Sequence, residues 1–345
     1  MAIALSRRMV LSTAAVATVA PSLAHAATAI NGGGSSFVAP VMKQWIDTVP
    51  ASLGVRPSYE VLGTGTAQSR IMAGELDYAA VELPLPADKL EAAEMDQFPV
   101  AFGALAFVVN IEGMASNQLT LDGRLLGGIY AGQIRTWNDP RIAAANPGVK
   151  LPDMEIRPVH LGDPAGSVFS TTFTIQQYLL AKNEDWRAKY GATITKRWAV
   201  GSMTTSAAQM LEAMKVLPGS MGYVTLAAAV QGKMTTVRLR NADGQAVAPS
   251  LDVLRASVDR IDWARTEGLV PRLLDLPGKD SWPIVLASYA MLQRQPKDRM
   301  RGAAVRAFMK YVVAEGSGPA AQRFAIGLPA AARDTVLRRL GSFAG

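Results

Sequence analysis

The sequence predicts an α/β protein folded as two lobes. Short apolar runs of strand length alternate with amphipathic runs of helix length. Three turns rich in glycine and hydroxyl residues, at 32–36, 63–66 and 162–167, each open a helix. A chain of 345 residues that is 49% hydrophobic can bury a large core, and its length suits two lobes better than one.

The first 26 residues stand apart from the fold. Residues 1–8 are short and basic, residues 9–23 are apolar but interrupted, and Ala24-His25-Ala26 fits a signal-peptidase site, placing cleavage before Ala27. The apolar run is shorter than the roughly 20 residues a membrane span needs. Ser6-Arg7-Arg8-Met9-Val10-Leu11 is compatible with twin-arginine export, with ordinary secretion as the alternative. With no cysteine there is no lipid attachment, disulfide, thiolate metal site or cysteine nucleophile. Loss of Arg7 and Arg8 lowers the net charge from +7 to +5, which suits small anions, and no basic block or basic-aromatic stripe points to nucleic acid. His160 is the sole histidine after residue 26, which argues against a histidine metal cluster or a serine triad. The 15 methionines form no Met-rich cluster and read as core filling.

In order along the chain, Gly32-Gly33-Gly34-Ser35-Ser36-Phe37 reads as a glycine loop feeding the amphipathic helix that follows Pro40. Free N–H groups at such a helix start suit an anion, although a glycine loop by itself can be a mere turn. Residues 57–62 read as a strand, 63–66 as a turn, 67–73 as a helix closed by Gly74, and 78–81 as a buried strand ending at Glu82. Another helix opens at 86–91, and residues 100–110 form the most apolar strand, a central one. Beyond residue 121 the pattern gives a helix at 125–134, a strand at 156–161, a loop at 162–167 and a helix at 168–182. It then gives a helix at 206–216 stopped by Pro218-Gly219, strands at 221–226 and 236–239, and a hairpin turn at 241–244. A late strand at 282–292 and helices at 300–313 and 330–340 complete the chain.

Gly32-Gly33-Gly34-Ser35-Ser36-Phe37-Val38-Ala39-Pro40 resembles the opening motif of the periplasmic phosphate-binding proteins, the solute receptors of the phosphate ABC transporter. The resemblance continues in family order through residues 59–64, 77–85 and 97–100, Leu121-Asp122-Gly123 and Trp137-Asn138-Asp139. It resumes at residues 217–224 and ends at Trp282-Pro283-Ile284. It implies a two-lobed type II periplasmic binding protein, each lobe a mixed sheet flanked by helices, with the ligand cleft between them. The lobes are expected at 27–112 with 240–345, and at 113–239. No catalytic residue, metal or cofactor is implied. The expected partners are phosphate or a similar small anion and an inner-membrane ABC permease, for a monomeric periplasmic protein.

Carried over residue by residue, the family's ligand positions fall on Ser36, Phe37, Thr64, Glu82, Asp163, Gly166 and Ser167. Three positions depart from the pattern. The family's ligand arginine falls on Leu161, a serine donor on Ala165, and the aspartate on Glu82. These changes imply an alternative in which the fold is kept and the ligand altered. His160, beside Leu161, and Arg70 are the candidate compensating cations, each with a plainer reading as a residue facing away from the cleft.

Overall fold

A computed structural model describes residues 27–162, 169–191 and 198–342. Among the described residues there are twelve strands, beginning with β1 (Thr28–Gly34), β2 (Val55–Val61), β3 (Tyr78–Val81), β4 (Met95–Val109), β5 (Thr120–Leu121) and β6 (Arg157–Leu161). They continue as β7 (Ser202–Thr204), β8 (Ser220–Thr225), β9 (Thr235–Thr236), β10 (Arg238–Arg240), β11 (Ala246–Val247) and β12 (Val285–Gln293). The main sheet runs β2-β1-β3-β12-β4-β8-β6-β7, with β9 also paired to β4. A small second sheet joins β11, β10 and β5.

The first half of the main sheet is a helix–sheet–helix sandwich, and β3 shows why. Its successive side chains point to opposite faces. Tyr78 and Ala80 join the large core, where the Tyr78 ring meets Phe308 of the helix Arg299–Glu315 at a centroid separation of 5.6 Å. Ala79 and Val81 join a second cluster with Ala67 and Ile71 of the helix Thr64–Met72. β1, β2 and β3 run parallel, which follows from the helices Ala39–Thr48 and Thr64–Met72 crossing back over the sheet between them.

β4 carries the chain from one half of the sheet to the other. All fifteen of its residues are buried, as a strand covered on both faces requires. Residues 95–99 and 101–104 pair with β12, and residues 105–109 pair with β8. Pro99 is tolerated inside this strand because a bulge falls there, where the register shifts between Ser288 and Tyr289 of β12. At the changeover, the buried Trp282 indole N–H donates to the Leu105 carbonyl at 2.9 Å. In the second half, the helices Ser170–Lys182 and Ala207–Lys215 both pack on β6.

The sequence reading is corrected at the three glycines. Residues 32–34 are the end of strand β1, not a turn. A Cβ on Gly32 would overlap the Tyr78 ring, and one on Gly34 the Ala80 carbonyl, so glycine serves close strand packing here rather than an unusual φ. The hairpin at 241–244 forms between β10 and β11, with Gly244 at φ +76°. The helices Pro140–Ala145, Glu184–Tyr190 and Leu251–Asp259 were absent from the sequence reading.

Candidate functional site

The carboxyl ends of β1, β2 and β3 lie side by side, since Gly34 pairs with Val61 on one side and Ala80 on the other. Loops leaving such an edge are where open parallel sheets hold ligands. The Gly34 carbonyl accepts from both Leu62 N and Gly63 N, at 2.8 and 3.1 Å, and Ser35 N donates to the Ala80 carbonyl at 3.0 Å. The Tyr59 hydroxyl adds a 3.0 Å bond to the Ser35 carbonyl. Three loops are thereby fixed relative to one another before any ligand is considered.

The first loop delivers Ser35, Ser36 and Phe37. Ser35 is buried, and its Oγ accepts from Phe37 N at 3.0 Å, so an anion approaching that amide competes with this hydroxyl. Ser36 is exposed. The Phe37 ring lies against Gly103 of β4, where a side chain would collide with it. The second loop turns through Gly63, at φ +76°, straight into the helix that Thr64 begins. Thr64 is therefore a helix-start residue, and its Oγ1 is buried without a hydrogen-bond partner.

Glu82 follows β3 on the third loop and is only 6% exposed. Its Oε2 accepts from Ser170 Oγ at 2.9 Å, a bond from the first residue of the helix Ser170–Lys182 on the other half of the molecule. Its Oε1 and the buried Ser288 Oγ make no hydrogen bond of good geometry among the described residues, although the Ser35 and Ser288 hydroxyls lie close enough to the carboxyl to favour its charged form. Ser288 belongs here because Tyr289 pairs with Val81, which sets Ser288 opposite Glu82 at the bulge. Burial pushes the Glu82 carboxyl up to about 7, and the hydroxyls of Ser35, Ser170 and Ser288 pull it partway back. Ser170→Ala should cost about 1 kcal/mol and move the Glu82 titration further up. An unchanged pH dependence of unfolding in this variant would show that Ser170 does not act on the carboxyl.

The helix Ser170–Lys182 is seated by hydroxyls. Thr172 Oγ1 donates to the Leu161 carbonyl at 3.0 Å and lies 2.7 Å from the Tyr223 hydroxyl, which accepts from Leu161 N at 3.1 Å. Leu161, where the family pattern has its arginine, is 5% exposed and apolar.

Neither candidate cation stands ready to replace it. His160 stacks on Trp198, with centroids 5.1 Å apart and rings inclined by 17°. Burial lowers its pKa to about 4, so the ring is neutral across pH 5–8 and supplies no positive charge. Arg70 is held by Glu60 and Glu75, each at 3.0 Å, on the exposed helix surface. Asp163, Ala165, Gly166 and Ser167 lie outside the described residues. Sequence reasoning missed Ser35, Ser170 and Ser288. Ser35 adjoined a named residue, but Ser170 and Ser288 carry no motif and are found only by strand register and helix placement. Among the described residues, no cluster of three His, Cys, Asp or Glu could hold a metal.

The profile of the PBP superfamily domain matches residues 19–315. The phosphate-binding protein PstS of Xylella fastidiosa is 33% identical over 300 residues, covering 87% of this chain and 81% of the relative. The chain belongs to the PstS family of phosphate-binding proteins. The PstS of Haemophilus influenzae is 29% identical over 310 residues, covering 90% of this chain and 92% of that one. Among solved structures, the phosphate-binding protein of Stenotrophomonas maltophilia superposes with a TM-score of 0.67 at 16% identity, covering 90% of this chain and 93% of its own. A putative phosphate ABC transporter substrate-binding protein of Clostridium perfringens gives 0.62 at 13%, covering 88% and 100%. The fold is therefore the α/β type II periplasmic binding protein fold of PstS structures. Among the described residues of this PstS-family chain, no helix is long and apolar enough to cross a membrane.

Proposed function

We propose that the protein captures inorganic phosphate, or a closely related oxyanion, in the periplasm and delivers it to an inner-membrane ABC permease. One observation carries this reading. Donor-rich loops from β1 and β2, the Glu82 carboxyl after β3 and the start of the helix Ser170–Lys182 converge at one sheet edge, across the meeting of the two halves. Membership of the PstS family supports phosphate as the first ligand to test. The proposed ligand set is Ser36, Phe37, Thr64, Glu82, Asp163, Gly166 and Ser167. In this reading the lobes, 27–112 with 240–345 and 113–239, close on the anion as a monomeric receptor released by cleavage before Ala27.

Isothermal titration of residues 27–345 with phosphate tests the reading, and saturable 1:1 heat is the expected result. No heat and no thermal shift at millimolar phosphate would reject it. A second reading, the same fold with altered ligand specificity, is favoured by the buried apolar Leu161. A charge-assisted hydrogen bond is worth about 1.5–3 kcal/mol, so a missing arginine weakens phosphate binding by roughly tenfold to a hundredfold. The double variant Leu161→Arg with Glu82→Asp should then bind phosphate more tightly than the parent.

A further inference from the structure

We propose that the basic outer face of the helix Arg299–Glu315 docks on an anionic phospholipid surface, whose phosphodiester headgroups meet Lys297, Arg299, Arg306 and Lys310. The inference rests on this folded surface and does not depend on which solute the protein captures.

Charge is shared unevenly along the chain. Residues 27–293 hold 23 basic and 25 acidic residues, whereas residues 294–345 hold ten basic and three acidic. No basic block announces this excess, because helix period rather than adjacency gathers it. Residues 299, 303, 306 and 310 recur at three- and four-residue steps and so share one side of the helix. They are Arg, Ala, Arg and Lys, with no acid among them. The opposite side buries Phe308 and Val312, which turns the stripe toward water. Arg299 and Lys310 are exposed, and eleven residues of helix set them about 16 Å apart along the axis.

Nothing nearby neutralises the stripe. The ion pairs of this region join Arg301 to Asp77 at 3.3 Å and to Asp298 at 3.9 Å. Lys297, Arg299, Arg306 and Lys310 take part in no ion pair among the described residues. The two acids are also engaged elsewhere: Asp298 caps the helix by accepting from Arg301 N at 3.1 Å, and Asp77 accepts from Asn31 N at 2.7 Å. Glu315 ends the helix five residues after Lys310, on a different side.

Two features favour a lipid surface over a purely ionic polymer. Met300, beside Arg299, is 70% exposed and offers an apolar side chain to a headgroup layer. A cavity of about 230 Å³ opens next to the stripe, where Lys297, Arg301 and Arg306 surround the apolar Leu76, Pro296 and Val305, with Asp77 and Asp298 also in its lining. Gly302 permits this arrangement, since a Cβ there would strike the Pro296 ring and crowd the Arg306 guanidinium. A phospholipid headgroup presents the matching pair, an anion joined to an apolar chain. The face is separate from the anion site. Asp77 precedes β3 and Glu82 follows it, so the cavity and the ligand loops lie at opposite ends of that strand.

Co-sedimentation of residues 27–345 with vesicles of phosphatidylcholine and phosphatidylglycerol in equal parts, at low salt, tests the proposal. Saturable binding is expected, lost at high salt and absent with phosphatidylcholine alone. Each basic residue near an anionic surface contributes about fivefold in affinity, so Arg299→Gln, Arg306→Gln and Lys310→Gln together should weaken binding about a hundredfold. Glutamine keeps the helix propensity of these positions. Lys89→Gln, Lys150→Gln and Lys233→Gln, at exposed positions elsewhere, remove the same charge and should leave vesicle binding as in the parent. No association with the phosphatidylglycerol vesicles would overturn the proposal. An equal loss in the control would overturn it too, by tracing the binding to net charge alone, as would salt-resistant binding to phosphatidylcholine. Linear polyphosphate held by the parent and lost in the stripe variant, with no vesicle binding, would make the face a polyanion site and reject the lipid surface. Phosphate titration of the stripe variant should match the parent, so this inference and the receptor reading fail separately.

Discussion

Replacing Glu82 with glutamine stabilises the ligand-free protein, and the gain is larger by about 2–3 kcal/mol at pH 8 than at pH 5. The sign follows from proton binding. The native carboxyl titrates near 7 and the unfolded one near 4.5, so between these values the native state holds the extra proton. Stability contributed by that proton is present on the acid side and is lost as pH rises through the window. Glutamine fills nearly the same volume and has no charge to desolvate. Urea unfolding of parent and variant at the two pH values measures the difference, and an equal gap at both would contradict the account of Glu82 given above.

Gly34→Ala should destabilise the protein by more than about 3 kcal/mol, beyond the usual range for overpacking. The added methyl would meet the Ala80 carbonyl, which is backbone and cannot rotate away, and also the Tyr59 hydroxyl. Parting β1 from β3 to make room would loosen the Ser35 N to Ala80 O bond that sets the first loop beside the third. Loss of anion binding should accompany the loss of stability. Gly318→Ala is the control, because that glycine sits in the helix Ser317–Ala321 with open space where the methyl would go. Thermal melts should separate the two by at least about 4 °C. Comparable melting temperatures would mean that β1 has slack the packing does not reveal.

Much of the framework was legible in the sequence because it is written in local pattern. The buried run ending at Glu82, the apolar strand around residues 100–109 and the turn at 241–244 follow from period, burial and turn chemistry. The glycines at 32–34 were misread for a physical reason. A glycine freed for a turn and a glycine excluded by a neighbouring strand look identical until the neighbour, Tyr78 or Ala80, is known. The environment of Glu82 was equally out of reach. Its partner Ser170 is 88 residues away, and Ser288 is placed by a bulge that no spacing announces. His160 was named for its chemistry and its adjacency to Leu161, but its charge state is set by burial, which only folding brings about.

The fifteen-residue strand β4 has a consequence for how the molecule can be divided. Its first part runs beside β12 and its last five residues run beside β8, with no loop between them. A cut designed to release either half as an independent unit would strand part of β4 without its hydrogen-bonding neighbours. The two halves of the sheet are therefore joined here by a continuous, fully buried strand rather than by a tether.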